Sequence, residues 1–288
     1  MTALRPGLRQ RAQVGELADC DLAELGLLLD ADPLVNAVVS ARVRAAGSLQ
    51  PARLGGTVLG VRRDGVLHGA LYNGGNLLPI GGDESDWGAL ARFVVQRRRT
   101  CTAIVGRAEA VAVMWPVLAA GWASARALRP VQPLLRLDDV PSVPGDERVR
   151  AARPDELERY LPAAAAMFAE ELGVSPHVAP GSAAFRSRVS ELLRRGRAFA
   201  AFDFRGQVTF KADLAAVTPY TCQIQGVWVR PDLRGQGTAT AALATVARHA
   251  LALAPTVSLY VNDYNAPARR VYQKLGMRQH ATLSTVLL

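Results

Sequence analysis

The sequence predicts an α/β fold arranged as two tandem modules, and three observations carry that reading. Short runs with β-type apolar residues and longer runs with helical spacing follow one another in the same order twice. A proline-rich stretch, 140–147, closed by Gly145-Asp146, separates the two series and reads as a linker. At 288 residues the chain is long enough for two domains of ordinary size, placed here at 1–140 and 146–288.

In the first module, Glu16–Leu29 and Leu34–Ala46 are expected helices, separated by Asp30-Ala31-Asp32-Pro33. Strands are expected at Thr57–Arg62, Leu67–Asn73 and Asn76–Ile80, because Asp64-Gly65 and Gly74-Gly75 are hairpin signals. A helix over Asp86–Arg98 buries Leu90, Phe93 and Val94 on one face. Strand Thr102–Gly106, helix Ala108–Ala120 and a strand near Pro133–Leu137 complete the series.

The second module repeats the order. Helices are expected at Pro154–Leu172, with a kink at Pro162, and at Ser182–Arg195. Strands Ala198–Phe204, Gln207–Val217 and Thr221–Val229 come next, then helix Thr238–Leu253, strand Thr256–Asn262, helix Pro267–Leu275 and strand Thr282–Leu287.

The totals narrow the function classes. No secretory apolar region follows Met1, because Arg5, Arg9 and Arg11 interrupt the start. The longest apolar run, Ala110–Ala123, is too short for a bilayer and contains Pro116, so no membrane association is expected. Net charge is +9, but Lys211 and Lys274 are the only lysines among 34 basic residues, a skew that reflects composition rather than a nucleic-acid groove. The surplus is +3 over residues 1–145 and +6 over 146–288, and an anionic cofactor accounts for part of the second figure without nucleic acid. Cys20, Cys101 and Cys222, and likewise His68, His177, His249 and His280, are scattered, so neither disulfides nor a metal site is expected. A reducing cytoplasm fits that usage.

The chemistry concentrates in Gly226–Thr240, which reads Gly-Val-Trp-Val-Arg-Pro-Asp-Leu-Arg-Gly-Gln-Gly-Thr-Ala-Thr. Pro231 ends a strand, two glycines make a turn, and an alanine-rich helix starts near Thr238. The N–H groups at a helix N-terminus, joined by Arg230 and Arg234, form an anion cradle that glycine lets a phosphate approach closely. A P-loop would need a lysine, and a dinucleotide fingerprint a third glycine; this segment has neither. The pattern Val-x-Pro-x-x-Arg-Gly-x-Gly-x-Ala resembles the acetyl-CoA pyrophosphate loop of the GNAT superfamily of N-acetyltransferases. A second segment resembling the same family follows at the expected distance, Asn265-Ala266-Pro267-Ala268-Arg269-Arg270-Val271-Tyr272-Gln273-Lys274-Leu275-Gly276-Met277. The resemblance is specific over about 146–288 and architectural over 1–140.

That resemblance implies an α+β mixed sheet flanked by helices, acetyl-CoA as co-substrate, and transfer of acetyl to a primary amine by direct attack. It implies that Arg234, Gly235, Gln236, Gly237, Thr238, Ala239 and Thr240 hold the pyrophosphate. It also implies that main-chain groups of Val227 and Val229 bind the pantetheine arm, one N–H polarising the thioester carbonyl. Asn265 matches a cofactor-contacting asparagine, with a plain helix cap as the other reading; Asn262 is a further candidate. Arg269 and Arg270 either reach the 3′-phosphate or are solvated. Tyr272 aligns with the family's general acid, with a core tyrosine as the alternative.

The base is not legible in the same way. Many relatives carry a glutamate on the strand entering the cradle, where this chain has Gln223-Ile224-Gln225. Glu170 and Glu171, at the end of a helix before Gly173-Val174-Ser175-Pro176, sit where the resemblance implies an acceptor site, and Glu171 is the candidate. Asp213 or a water chain is the other option, and a solvated helix or strand face is the alternative for each carboxylate. At the first module's cradle position, Ile80–Asp86 carries three carboxylates and no arginine, and is expected to cap a helix rather than bind CoA. The acceptor is a small-molecule or peptide amine, and the oligomeric state is open between monomer and homodimer. The alternatives are a non-catalytic acyl-CoA-binding regulatory protein, an aminoacyl-transferring relative that uses charged tRNA, and a nucleotide-binding oxidoreductase.

Overall fold

The computed structural model describes residues 12–122, 124–173 and 182–288; Arg5, Arg9, Arg11, Val174-Ser175-Pro176 and His177 lie outside them. The chain forms two compact units, Met1–Gln132 with Thr282–Leu288, and Pro133–Ala281.

The first part of the chain runs through β1 (Gln13–Glu16), α1 (Leu22–Ala31), α2 (Ala37–Ala46), α3 (Pro51–Leu54), β2 (Thr57–Arg63), β3 (Val66–Asn73), β4 (Asn76–Gly81), α4 (Glu84–Val95), β5 (Ala103–Arg107), α5 (Ala108–Ala119) and β6 (Ala127–Leu137). The remainder comprises β7 (Arg150–Ala151), α6 (Leu157–Leu172), α7 (Ser182–Arg194), β8 (Ala198–Phe202), β9 (Val208–Val217), β10 (Cys222–Val229), α8 (Thr238–Leu251), β11 (Val257–Tyr260), α9 (Ala266–Lys274) and β12 (Arg278–Leu287).

In the first unit β1 to β4 pair antiparallel in sequence, β4 pairs β5 in parallel, and Leu283–Leu287 of β12 pairs antiparallel with β5. The β2–β3 turn is Asp64-Gly65 with φ of +52° and +80°, the two positive values that match hairpin twist. One face packs on α4 and α5 through Leu59, Leu71, Leu77, Leu90, Met114 and Leu118. The other packs on α1 and α2 through Leu25, Leu29, Val39, Val58, Tyr72 and Ile80.

The second unit has the same six-strand pattern. Strands β7 to β10 pair antiparallel, β10 pairs β11 in parallel, and Leu134–Leu137 of β6 pairs antiparallel with β11. Phe210, Leu214, Ile224, Leu243, Val246 and Leu259 build the core under α8. Tyr160, Leu161, Val189, Ala200, Val208 and Trp228 build the core under α6 and α7. The result is the mixed sheet with helices on both faces that the sequence predicts.

Some boundaries differ from expectation. The helix expected from Glu16 begins at Leu22, because Gln13–Glu16 pairs as an edge strand with Leu59–Arg62. The strand expected near Pro133 starts at Ala127, and α6 runs through Pro162. No helix among the described residues is long and apolar enough to cross a membrane.

Candidate functional site

The site is assembled at the C-terminal end of β10. Pro231–Leu233 forms one 3₁₀ turn, then Gly235 and Gly237 take φ of +77° and +82°, values that carry little strain only for glycine. Gly237 is the N-cap of α8 and has no side chain to occupy the first amides of the helix. Among the described residues, Gly235, Gln236, Gly237, Thr238 and Ala239 donate no main-chain hydrogen bond within the protein, while Thr240 donates to Gly237 O at 3.0 Å. A Cβ built at Gly235 or Gly237 meets nothing within 4 Å. Five consecutive donors are therefore left without a main-chain acceptor at the positive end of a 14-residue helix, a fit for a pyrophosphate.

The corresponding helix start in the first unit is closed by its own side chain. Asp83 Oδ1 accepts from Ser85 N at 2.9 Å and Asp86 N at 3.1 Å, and Arg63 binds both carboxylates. Arg63 holds the Asp83 carboxyl well below the usual carboxylate range. These donors are filled by a capping box, the cap expected from Ile80–Asp86.

Arg234 folds across the mouth of the cradle. Its Nε donates to Val229 O at 2.9 Å, and its Nη2 lies 2.8 Å from Glu170. Trp228 Nε1 donates to the same carboxylate at 3.1 Å. Gln236 Nε2 donates to Asp232 O, and Thr238 Oγ1 to Leu233 O, so both side chains brace the turn.

Beside the cradle, β10 parts from β11. The two strands are paired only at Cys222–Val257 and Gln223–Ser258. A register shift against β9 falls between Gln225 and Trp228, with Gly226 at φ +58°. The bulge reverses side-chain parity: Ile224 packs in the core under α8, as do Val227 and Val229, whereas Trp228 packs under α6. Arg230 N donates to Thr209 O at 3.0 Å, so the main-chain groups of Val229, one residue earlier, turn to the opposite edge. That edge faces the splay, as a strand-like pantetheine arm requires.

Tyr272, on α9, is buried at 6% exposure, and its hydroxyl is pushed up to about 12, first by burial and then by the Glu171 charge. Glu171 is exposed at the end of α6. Asn265 is the N-cap of α9, its Oδ1 accepting from Ala268 N at 3.2 Å, and Asn262 O accepts from Asn265 N at 3.0 Å. Arg269 folds back onto Asp263 O at 3.1 Å.

Asp213 is enclosed. Its Oδ1 accepts from the Tyr160 hydroxyl at 2.5 Å and its Oδ2 from Lys211 Nζ at 2.7 Å. Sequence reasoning missed Lys211, Tyr160 and Trp228. The available signal was a lone lysine two residues before an aspartate in an otherwise apolar strand. No group of three or more His, Cys, Asp or Glu side chains is placed to hold a metal ion among the described residues.

Residues 194–277 match the model of the acetyltransferase (GNAT) family, and residues 56–160 match that of a domain of unknown function (DUF4081). No curated protein matches the chain. A Drosophila protein superposes with a TM-score of 0.67 at 13% identity, covering 96% of this chain and 98% of that one. A GCN5-related N-acetyltransferase from Sphaerobacter thermophilus gives 0.58 at 16%, covering 98% and 97%. A tandem GNAT protein from the clavulanic acid biosynthesis pathway gives 0.52 at 17%, covering 96% and 98%. At such identities the likeness speaks to the fold.

Proposed function

Since the chain carries an acetyltransferase (GNAT) domain in its C-terminal unit, we propose that this unit binds acetyl-CoA and transfers the acetyl group to a primary amine by direct attack. The observation that carries the reading is the row of five available amides, Gly235 to Ala239, on a helix start without a side-chain cap. Those amides, with Arg234 and Thr240, bind the pyrophosphate, and Val227 and Val229 bind the pantetheine arm through their main chain. Asn262 and Asn265 border the cofactor from the β11–α9 turn.

The acyl carbon then lies at the bulge, where a main-chain N–H stabilises charge developing on the thioester oxygen. The acceptor amine adds to the carbonyl carbon, the C–S bond breaks, and Tyr272 gives its proton to the departing thiolate. Glu171 takes the proton that the amine loses. A small-molecule or peptide amine is the acceptor class, and a reducing cytoplasm accords with the unpaired thiols of Cys20, Cys101 and Cys222.

Calorimetry of the purified chain with acetyl-CoA tests the cofactor: micromolar binding at one site per chain is expected, and its absence rejects the reading. Release of CoA thiol across a broad amine panel tests the reaction. Binding without release against every amine favours the acyl-CoA-binding regulator, for which the glutamines at 223 and 225 are the motivating feature.

A further inference from the structure

Lys211 is the most enclosed charged side chain among the described residues of the second unit. In a chain with 34 basic residues, lysine stands only at 211 and 274, and Lys211 is 0% exposed. Lysine is almost never fully buried unless paired. Here the ammonium donates to Asp213 Oδ2 at 2.7 Å and to Gly226 O at 3.1 Å. Asp213 is fixed in turn by the hydroxyl of Tyr160, itself 0% exposed. A buried chain of polar groups, Tyr160 to Asp213 to Lys211, thus ends on one carbonyl in the β10 bulge.

That carbonyl has little freedom. A Cβ at Gly226 would stand 2.9 Å from Lys211 Nζ, 3.0 Å from Met167 Cε and 3.1 Å from Asp213 Oδ2, so the bulge is packed against the ammonium at a position only glycine fills. Across a planar trans peptide the Gly226 carbonyl and the Val227 N–H point in opposite directions. The carbonyl faces Lys211 on β9. The N–H of Val227 therefore points away from the Lys211 ammonium, in the stretch of β10 that no longer pairs with β11.

We infer that Lys211 is a positioning residue for acyl transfer: held by Asp213 and Tyr160, it fixes the Gly226–Val227 peptide so that the Val227 N–H meets and polarises the thioester carbonyl. This rests on the reading that the acyl end of acetyl-CoA lies in the splay beside the bulge. A charged donor on a peptide carbonyl draws electron density from the amide nitrogen, which makes the N–H a stronger donor on the other side. Lysine suits the position because its ammonium is a compact point charge, whereas the planar fork of arginine needs more room. Lys211 forms and breaks no covalent bond in this role.

Isotope-edited infrared spectroscopy of carbonyl-labelled acetyl-CoA bound to the full chain reads the polarisation without an acceptor. On binding to the unsubstituted protein, the thioester stretch is expected to move to lower frequency. The double variant Lys211→Met/Asp213→Asn removes both charges together, so that no lone buried ion remains. In it the shift is expected to fall by about half, and kcat by about tenfold with the acetyl-CoA KM within about twofold. A full-sized shift in that variant overturns the inference. Tyr160→Phe covers the case in which the double variant does not fold. Losing the hydroxyl frees Asp213 Oδ1 and loosens the carboxylate that holds the ammonium on Gly226 O, so a smaller loss of shift is expected and an unchanged shift overturns the inference. Calorimetry separates the two levels: no acetyl-CoA binding by the unsubstituted chain rejects the cofactor reading and this inference with it. Binding with unaltered shifts in the variants rejects the role of Lys211 alone.

Discussion

Arg234 and Glu170 meet at 2.8 Å across the mouth of the cradle, with the same guanidinium donating to Val229 O. Their side chains are 45% and 47% exposed, so the pair itself contributes at most about 1 kcal/mol to stability. In the proposed cofactor site its weight falls on binding, because a bound pyrophosphate would compete with Glu170 for Arg234 Nη2. Glu170→Gln is expected to tighten acetyl-CoA binding about threefold, more at low salt, with Tm nearly unchanged. Titration calorimetry at two ionic strengths checks this. A collapse of kcat at saturating acetyl-CoA would instead assign proton removal to Glu170.

Gly237→Ala addresses the cradle itself. The backbone at φ +82° costs an L-residue about 1–2 kcal/mol, yet the added methyl meets nothing within 4 Å in the protein. Gly196→Ala is a matched control at φ +63°, also with nothing within 4 Å but in the turn before β8. Both variants are expected to lose similar Tm. Only Gly237→Ala is expected to weaken acetyl-CoA binding, by about tenfold or more, since its methyl occupies space a phosphate needs. Equal affinities in the two would remove the turn from the binding site.

The turn that leads into α8 was legible because its determinants are local. Pro231 stops a strand, Gly235 and Gly237 set two positive φ values, and helix periodicity resumes at Thr238. Partner choice is not local. Residues 282–287 read plainly as a strand, but nothing in them names Ala103–Arg107 as the segment they pair with. Gln13–Glu16 is only four residues long and is a strand solely through β2, so helical spacing downstream absorbed it. Lys211 escaped for a related reason, since Tyr160, Asp213 and Gly226 join it through tertiary packing across 66 residues of sequence.

In the first unit, Asp83 occupies the helix amides that the second unit leaves available. Asp83→Ala is expected to lower stability by about 1 kcal/mol, the usual weight of an N-cap, and to leave acetyl-CoA affinity unchanged. The sign with pH follows from the lowered carboxyl. The contribution is fully present above the unfolded value near 4 and is lost as pH falls below it. Denaturant titrations of both proteins should therefore converge in acid. An altered acetyl-CoA affinity in Asp83→Ala would bring the first unit into cofactor binding.

Tyr272 gives the sharpest pH test. As an acid it acts only while protonated, and burial followed by the Glu171 charge pushes its hydroxyl to about 12. Turnover is therefore expected to show no falling limb up to about pH 11, where an ordinary tyrosine near 10 would already have failed. Tyr272→Phe should lower kcat strongly with acetyl-CoA affinity intact. Glu171→Gln removes the nearby negative charge, so a falling limb should enter at lower pH as kcat also drops. Stability carries the same signature. Below about pH 10 the raised hydroxyl disfavours no native form, but between about 10 and 12 the unfolded chain ionises first, and about 2–3 kcal/mol is lost. Tyr272→Phe, lacking that titration, is expected to unfold less steeply with rising pH than the unsubstituted chain. Parallel alkaline unfolding curves would show that Tyr272 does not hold its proton more tightly in the fold. Unchanged turnover in Tyr272→Phe would remove it as the acid.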